Sequence, residues 1–528
     1  MQILRIFKFS ILSLLFLLQF SFTQTRYVVS GKVIDGSHPI SEAIVRLQAT
    51  DNITFTDENG NFELTIEDDV SIKSVFAWKR GYYNGSVVIG DTYIDLDIVL
   101  IPIPSKDNSS YKWIDPTPAL NDEINNCGDC HHSIYQQWLR SGHAQSTTNK
   151  RFMDIYNGTD ANGDHFYQPG YRLDYPHSKG NCSNCHTPTA ATKNFIGVNI
   201  NELGELEKKG ISCDFCHKVK NIHLKENFSV NTGIMMMELL RPIKGQQIYF
   251  GPYDDSPMPY TFSPEISKST FCAPCHQGSF WGLPIYETYS EWLDSPYAEK
   301  GIQCQDCHMP SDSVTTNIVE KGRIVKRNST TIHSHLLKSP DDRAFLESAV
   351  KMLIDTEINN NILQLKVKIK NVGAGHHIPT GQPMRNMILI VKAVDSKGNE
   401  LKYIGDNIIP FWGGYGDPSE GNYEGLPGKG YAKILFEHYS QYVQLKLGVK
   451  WHHIFPAPQW RVVRIKSDTR IPALVTDVST YEFSVSESDM PITVTTKLIY
   501  RDTFKNWADM KKWVLNDVLL AINVINIQ

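Results

Sequence analysis

Apolar and polar residues alternate in short runs along residues 26–104, for example in Ala43–Leu47 and Ile94–Leu100. Turn residues such as Asp57–Gly60 separate these runs. A period of two predicts half-buried strands, and many short strands between turns are typical of a β-sandwich. The pattern therefore predicts an N-terminal β-sandwich over residues 26–104.

The pattern changes at the proline-rich stretch Ile101–Pro104, after which residues 105–345 contain many turns and few long periodic runs. Proline marks places where regular elements end, so this stretch predicts a domain boundary. We expect a second domain over residues 105–345 that is mostly α-helical or irregular.

Alternation returns in residues 346–528, where Leu363–Ile369, Met387–Ala393 and Ile492–Tyr500 are predicted strands. Asp395–Gly398 has the composition of a hairpin turn, and Ala344–Ile354 is predicted to be a helix that leads into this region. The expected fold class is multidomain, with a C-terminal β-sandwich after the central domain.

Residues 1–25 have the pattern of a secretory signal peptide. Arg5 and Lys8 precede the uncharged, mostly apolar run Phe9–Phe22. The alternative is an uncleaved membrane anchor, but a run of about 14 residues is shorter than the roughly 20 that a spanning helix needs. We therefore expect an exported protein, periplasmic or at the cell surface.

The charge of the chain bears on its partners. Its 528 residues carry a formal net charge of −5, and export would remove the positive charges of Arg5 and Lys8. An acidic protein is poorly suited to bind phosphate backbones, so nucleic acid is not expected as a partner. A hydrophobic content of 41% and a charged content of 21% are ordinary for globular domains.

All ten cysteines lie in five copies of Cys-x-x-Cys-His. This pattern predicts covalent attachment of c-type haem, because two thiols form thioethers to the macrocycle and the adjacent histidine ligates the iron. Structural zinc is the alternative, but zinc gives no reason for histidine to follow every pair. We expect five haems c. The attachment residues are Cys127 and Cys130, Cys182 and Cys185, Cys213 and Cys216, Cys272 and Cys275, and Cys304 and Cys307, with His131, His186, His217, His276 and His308 as proximal ligands.

The second axial ligand of each iron must come from elsewhere in the chain, and what fills that position decides between an electron carrier and an enzyme. The candidate distal ligands are His143, His177, His223, His335 and His376. His143 follows an aromatic segment after the first motif. His333 is an alternative to His335, and His376 lies in a Gly- and Pro-containing turn of the C-terminal region.

Residues 26–104 resemble the carboxypeptidase regulatory-like domain. The resemblance rests on Gly31–Val33, Ala43–Val45, Gly60 with Phe62, and Gly81 with Tyr82. It implies a β-sandwich without chemistry of its own, used as a spacer or a docking module.

The cysteine-containing region resembles the multihaem cytochrome superfamily that includes hydroxylamine oxidoreductase and the nitrifiers' tetrahaem cytochrome c. The matching stretches include Cys127–Ala144, Gly210–His223, Tyr289–Pro310 and Gly375–Gly381. The resemblance implies closely stacked haems with mostly bis-histidine iron. It also implies that the distal ligands are His143, His223, His335 and His376.

The chain departs from this superfamily at Tyr253–Thr270, which contains no histidine before the fourth motif. One iron is therefore expected either to be five-coordinate or to use Met258.

We predict electron relay between redox partners as the function, because bis-histidine iron leaves no position for a substrate and needs no catalytic side chain. The expected partners are a membrane quinol-oxidising cytochrome, a periplasmic carrier or an outer-surface acceptor, and self-assembly is a further option. The alternative is an enzyme, a multihaem oxidoreductase that converts a small nitrogen or sulfur compound at one open iron.

Overall fold

The computed structural model describes residues 26–67, 74–90, 92–119, 126–194, 197–224, 233–322, 324–438 and 452–528. The predicted signal peptide, residues 1–25, lies outside these ranges. Strands dominate both ends of the described chain, and short helices dominate the middle. Within these ranges, no helix is both long and apolar enough to cross a membrane.

The N-terminal β-region, residues 26–104, contains two sheets. Its strands are β1 Arg26–Asp35, β2 His38–Pro39, β3 Ile44–Leu47, β4 Ile53–Phe55, β5 Asn61–Glu67, β6 Ser74–Trp78, β7 Gly85–Val88 and β8 Leu96–Val99. One sheet has the order β2-β1-β5, with β8 parallel to β1, and the other has the order β4-β3-β6-β7. Gly60 has a φ of 76° in the turn before β5, a conformation that glycine adopts without strain.

The two N-terminal sheets share one apolar core. Val33 from β1, Val45 from β3 and Val75 from β6 are all fully buried in it. Val33 and Val45 alternate with more exposed residues along β1 and β3, as expected for strands with one apolar face. The predicted sandwich arrangement of these sheets stays a prediction.

The haem region, residues 105–345, is built from short helices joined by turns. Its helices are α1 Cys127–Cys130, α2 His132–Leu139, α3 Lys150–Asn157, α4 Tyr171–Asp174, α5 Ser183–His186, α6 Pro188–Ala191, α7 Cys213–Cys216, α8 Ala273–His276, α9 Thr288–Leu293, α10 Pro296–Glu299, α11 Cys304–His308 and α12 Arg343–Ser348. Its short strands are β9 Val219–Ile222, β10 Met237–Leu239, β11 Tyr249–Gly251, β12 Tyr260–Phe262, β13 Gly278–Phe280 and β14 Leu283–Tyr286. Several 3₁₀ turns, including Gly233–Met236 and Ser269–Phe271, connect these elements.

The C-terminal β-region, residues 346–528, contains β15 Val350–Asn359, β16 Ile362–Asn371, β17 Asn386–Val394, β18 Gly428–Tyr431, β19 Lys433–Glu437, β20 Val463–Asp468, β21 Thr476–Ser484, β22 Ile492–Arg501, helix α13 Lys505–Lys511 and β23 Val518–Ile527. Its sheets have the orders β15-β16-β21, β18-β17-β22-β23 and β19-β20. Leu365 from β16, Leu389 from β17 and Leu498 from β22 are fully buried in one shared core.

The predicted helix Ala344–Ile354 differs from the structure, in which α12 ends at Ser348 and β15 begins at Val350. Strand β15 pairs antiparallel with β16 along its whole length, from Val350 opposite Asn371 to Asn359 opposite Ile362. Pairing with a neighbouring strand therefore outweighs the local helical pattern after Ser348.

Candidate haem centre

Each Cys-x-x-Cys-His motif folds as a single helical turn. The backbone N–H of His131 donates to the Cys127 carbonyl over 3.0 Å, and that of His217 donates to the Cys213 carbonyl over 3.0 Å. Residues three and four apart lie on the same side of such a turn. Both sulfurs and the imidazole of a motif therefore face one side, as thioether attachment and axial ligation require.

Four motif histidines are oriented by a hydrogen bond from ring Nδ1 to a backbone carbonyl. The acceptors are Ile318 for His131 at 2.6 Å, Ser146 for His186 at 2.8 Å, Phe250 for His217 at 2.7 Å and Lys338 for His308 at 2.7 Å. Such a bond fixes the tautomer and leaves Nε2 free to bind a metal. The donor set therefore fits an axial ligand of haem iron.

Two predicted distal histidines face motif histidines at the spacing that a shared iron requires. The ring centroids of His143 and His276 are 6.2 Å apart, and those of His308 and His376 are 6.3 Å apart. Two imidazoles on opposite sides of one metal, each bound at about 2 Å, have centroids about 6 Å apart. The structure thus brings His143 to the fourth motif and His376 to the fifth.

His335 lies close to the first and third motifs, because the charges that His217 and His131 would carry both lower its pKa. The Nδ1 atom of His335 contacts the His333 carbonyl at 3.2 Å. His333, the alternative, directs its own Nδ1 to the Met309 carbonyl at 3.0 Å. His335 is therefore placed near the first and third motifs.

These histidines are held in the neutral form that binds metals. Burial, with smaller contributions from neighbouring histidines, lowers the pKa of His143, His335 and His376 to about 4. Burial and the neighbouring His143 lower the pKa of His276 to about 3. Neutral imidazole is the ligating form, so no proton has to be displaced at neutral pH.

The structure does not bring the two remaining candidates to a motif. His177 is exposed in the turn after α4. The His223 side chain is 66% exposed, and its Nε2 lies 3.2 Å from Glu238 Oε2 on the neighbouring strand β10. Their assignment as distal ligands remains a prediction that these positions do not support.

Cysteines of different motifs lie close to one another. Cys213 of the third motif raises the pKa of Cys127 in the first, and Cys304 of the fifth raises that of Cys272 in the fourth. Cys185 of the second motif raises the pKa of Cys275 in the fourth. The first motif therefore lies beside the third, and the fourth lies beside the second and the fifth. The charge that Cys216 of the third motif would carry also acts on both cysteines of the fourth.

Sequence reasoning missed the aromatic residues around the second motif. The Phe152 ring stacks on the His186 ring, with centroids 3.9 Å apart and an interplanar angle of 7°. The half-buried Tyr286 hydroxyl donates to Gln382 Oε1 over 3.2 Å and accepts from Gln459 Nε2 over 3.0 Å. No periodic signal marks these residues, because they come from separate elements.

The segment Tyr-x-x-Trp occurs twice, as Tyr135–Trp138 and Tyr289–Trp292. Each copy supports one of the motifs in the same way. The Trp138 indole N–H donates to the Ile211 carbonyl over 2.8 Å, just before the third motif. The Trp292 indole donates to the Ile302 carbonyl over 2.9 Å, just before the fifth. Tyr297, which takes the place of His143 in the repeat, donates to the Val372 carbonyl instead.

Comparison with known proteins agrees with this site. Residues 126–218 match the family model described as cytochrome c554 and c-prime. The crystal structure of a penta-heme cytochrome c552 from Thermochromatium tepidum is similar, with a TM-score of 0.52 and 20% identity over 76% of this chain and 97% of that chain. That similarity shows a shared fold. No curated protein matches the chain.

The family match supports a c-type cytochrome with covalently bound haem c over residues 126–218. The family match covers the first three motifs, and the similar structure extends the cytochrome-like fold beyond them.

Proposed function

We propose that this chain is an exported pentahaem c-type cytochrome that relays electrons between redox partners. The observation that carries the proposal is the close approach of cysteines from different motifs, which places the first motif beside the third and the fourth motif beside the second and the fifth. When bound at these sites, haem supplies the one-electron chemistry. The chain's own residues hold the macrocycles side by side, so electrons can pass between them without a catalytic side chain.

The histidine arrangement supports relay over substrate conversion. At the fourth and fifth motifs, His143 and His376 stand opposite the proximal histidines at the spacing of two ligands on one metal. A second imidazole on the iron leaves no position for a substrate, and it favours low reduction potentials relative to histidine–methionine ligation.

The proposed partners are proteins that deliver or accept single electrons outside the cytoplasm. These are a membrane quinol-oxidising cytochrome on the donor side and a periplasmic or outer-surface acceptor. Export rests on the signal-peptide pattern of residues 1–25. The N-terminal β-region is proposed to belong to the carboxypeptidase regulatory-like group and to adopt its sandwich arrangement. Self-assembly through these β-regions is a further proposal, and size-exclusion chromatography tests it because a strict monomer rules it out.

The relay is tested by rapid partial reduction of the purified holoprotein. If all five haems belong to one connected set, electrons that enter at any haem redistribute among all of them. Redistribution ends when the reduced fraction of each haem is set by its own reduction potential. Time-resolved absorption should then show complete redistribution among five haems. A fraction of haem that takes up electrons only from external reductant, and never from its neighbours, would contradict the relay.

A second candidate function is an oxidoreductase with an open iron at the second motif. Among the described ring contacts, His186 stacks on Phe152 rather than facing another histidine. Tyr286, Gln382 and Gln459 are joined by hydrogen bonds. A small substrate could use the hydrogen-bonding atoms of these side chains. Turnover of nitrite with a reduced dye, or of hydroxylamine with a reduced or oxidised dye, would support this candidate. If neither compound is turned over, electron relay is the one function that stands.

A further inference from the structure

The first motif differs from the fourth and fifth in the group that faces its histidine. The Tyr260 hydroxyl lies 3.4 Å from His131 Nε2. The other ring nitrogen of His131 is bonded to the Ile318 carbonyl at 2.6 Å, so Nε2 is the nitrogen left to bind iron. A group that faces Nε2 therefore faces the iron position.

The distance between these two atoms suits a ligand on the far side of the metal. Two ligand atoms on opposite sides of one metal, each bound at about 2 Å, lie about 4 Å apart. The Tyr260 hydroxyl, which is within hydrogen-bonding distance of Nε2, is within 1 Å of that separation. Phenol oxygen is an established axial ligand of haem iron. Met258, the sequence-based alternative, is 49% exposed.

The N-terminal β-region holds the strand that carries Tyr260. The backbone N–H of Asn84 donates to the Tyr260 carbonyl over 3.0 Å, and Asn84 Oδ1 accepts from the Phe262 N–H over 3.1 Å. Asn84 is 2% exposed, and its amide also donates to the Tyr253 and Ser256 carbonyls. These bonds fix the backbone on both sides of the tyrosine.

A second set of contacts fixes the residue after Tyr260. The Trp78 indole N–H donates to Thr261 Oγ1 over 3.1 Å, and that hydroxyl donates to the Tyr82 carbonyl over 2.7 Å. The N-terminal β-region, predicted from sequence to be a spacer or docking module, thus contacts β12, the strand that carries Tyr260.

We propose that Tyr260 supplies its phenol oxygen as the sixth ligand at the first haem, opposite His131, and that the N-terminal β-region positions it there through Asn84. The bond forms between the phenol oxygen and ferric iron, and the phenol proton passes to solvent. The inference rests on the proposed pentahaem cytochrome, and it makes the first haem chemically distinct from the bis-histidine haems.

The test compares electron paramagnetic resonance and absorption spectra of four ferric holoproteins. Tyr260→His should add one low-spin bis-imidazole signal to the wild-type spectrum. Tyr260→Phe should convert one haem to a high-spin form that binds cyanide. Tyr249→Phe is the matched control, because Tyr249 neighbours Tyr260 with ring centroids 5.4 Å apart and should leave the spectrum unchanged.

Asn84→Ala tests the positioning role without removing the tyrosine. It should produce a partial high-spin fraction in the same spectral region as Tyr260→Phe, at an unchanged haem content. If Tyr260→Phe does not fold, Tyr260→His and Asn84→Ala still decide the question.

Haem content separates the two levels of inference. Fewer than five haems per wild-type chain would overturn the proposed function. Five haems together with wild-type spectra in both Tyr260→His and Asn84→Ala would overturn the ligand proposal alone. His335→Ala should change a different haem signal from the one that Tyr260→Phe changes. If both variants changed the same signal, His335 would be the ligand of the first haem and the ligand proposal would be overturned.

Discussion

Arg461 joins the C-terminal β-region to the haem region through a buried group of charges. Its Nε and Nη2 atoms donate to the two carboxylate oxygens of Asp174, each over 2.7 Å, and its Nη1 donates to Glu437. All three side chains are at most 1% exposed. Asp174 ends helix α4, eight positions before Cys182, so this cluster anchors the chain near the second motif.

We expect Arg461→Met to destabilise the protein strongly. Methionine fills much of the volume but leaves the carboxylates of Asp174 and Glu437 buried without their cation. Removing one partner of a buried ion pair costs about 3 to 5 kcal/mol. Because two carboxylates lose the same cation here, the expected loss lies at the upper end of that range.

The assay is denaturant unfolding of the holoprotein, followed by circular dichroism. Arg464→Met is the matched control, since Arg464 is exposed on the neighbouring strand β20 and its loss should change stability by less than about 0.5 kcal/mol. Adding Asp174→Asn and Glu437→Gln to Arg461→Met should recover stability, because no unpaired charge then remains buried. If Arg461→Met unfolds at the same denaturant concentration as Arg464→Met, the cluster is not the anchor inferred here.

Three further outcomes are expected from the site. His376→Ala should convert one low-spin haem to high spin by electron paramagnetic resonance while five haems remain bound, and an unchanged spectrum would exclude His376 as a ligand. His223→Ala should leave every haem signal unchanged, because this side chain is 66% exposed and bound to Glu238; a lost low-spin signal would show the opposite. Replacing Cys272 and Cys275 with serine should slow electron redistribution more than replacing the cysteines of the fifth motif, since the fourth motif lies beside both the second and the fifth. Equal rates in flash reduction would refute that order.

The strands were predictable because alternation is a local signal. Met387–Ala393 was predicted as a strand, and the structure has Asn386–Val394. The end of the predicted helix at Ile354 was wrong, because the second half of that segment pairs with β16. The local sequence pattern does not show that a partner strand is present.

The local geometry of the Cys-x-x-Cys-His motifs could be predicted from spacing alone, since one helical turn contains every atom that the motif needs. The distal ligands could be predicted only in part. His143 and His376 come to their motifs through tertiary contacts, and these contacts are absent from the local sequence. The sequence alone made His223 a candidate ligand. The pairing of β9 with β10 instead directs its side chain to Glu238 at the surface.

The haem stoichiometry of the mature protein tests the central claim most directly. Intact mass spectrometry combined with pyridine haemochrome quantitation should give five covalently bound haems per chain and no free thiol among the ten cysteines. A competently matured sample with fewer than five haems, or with unmodified motif cysteines, would contradict the account.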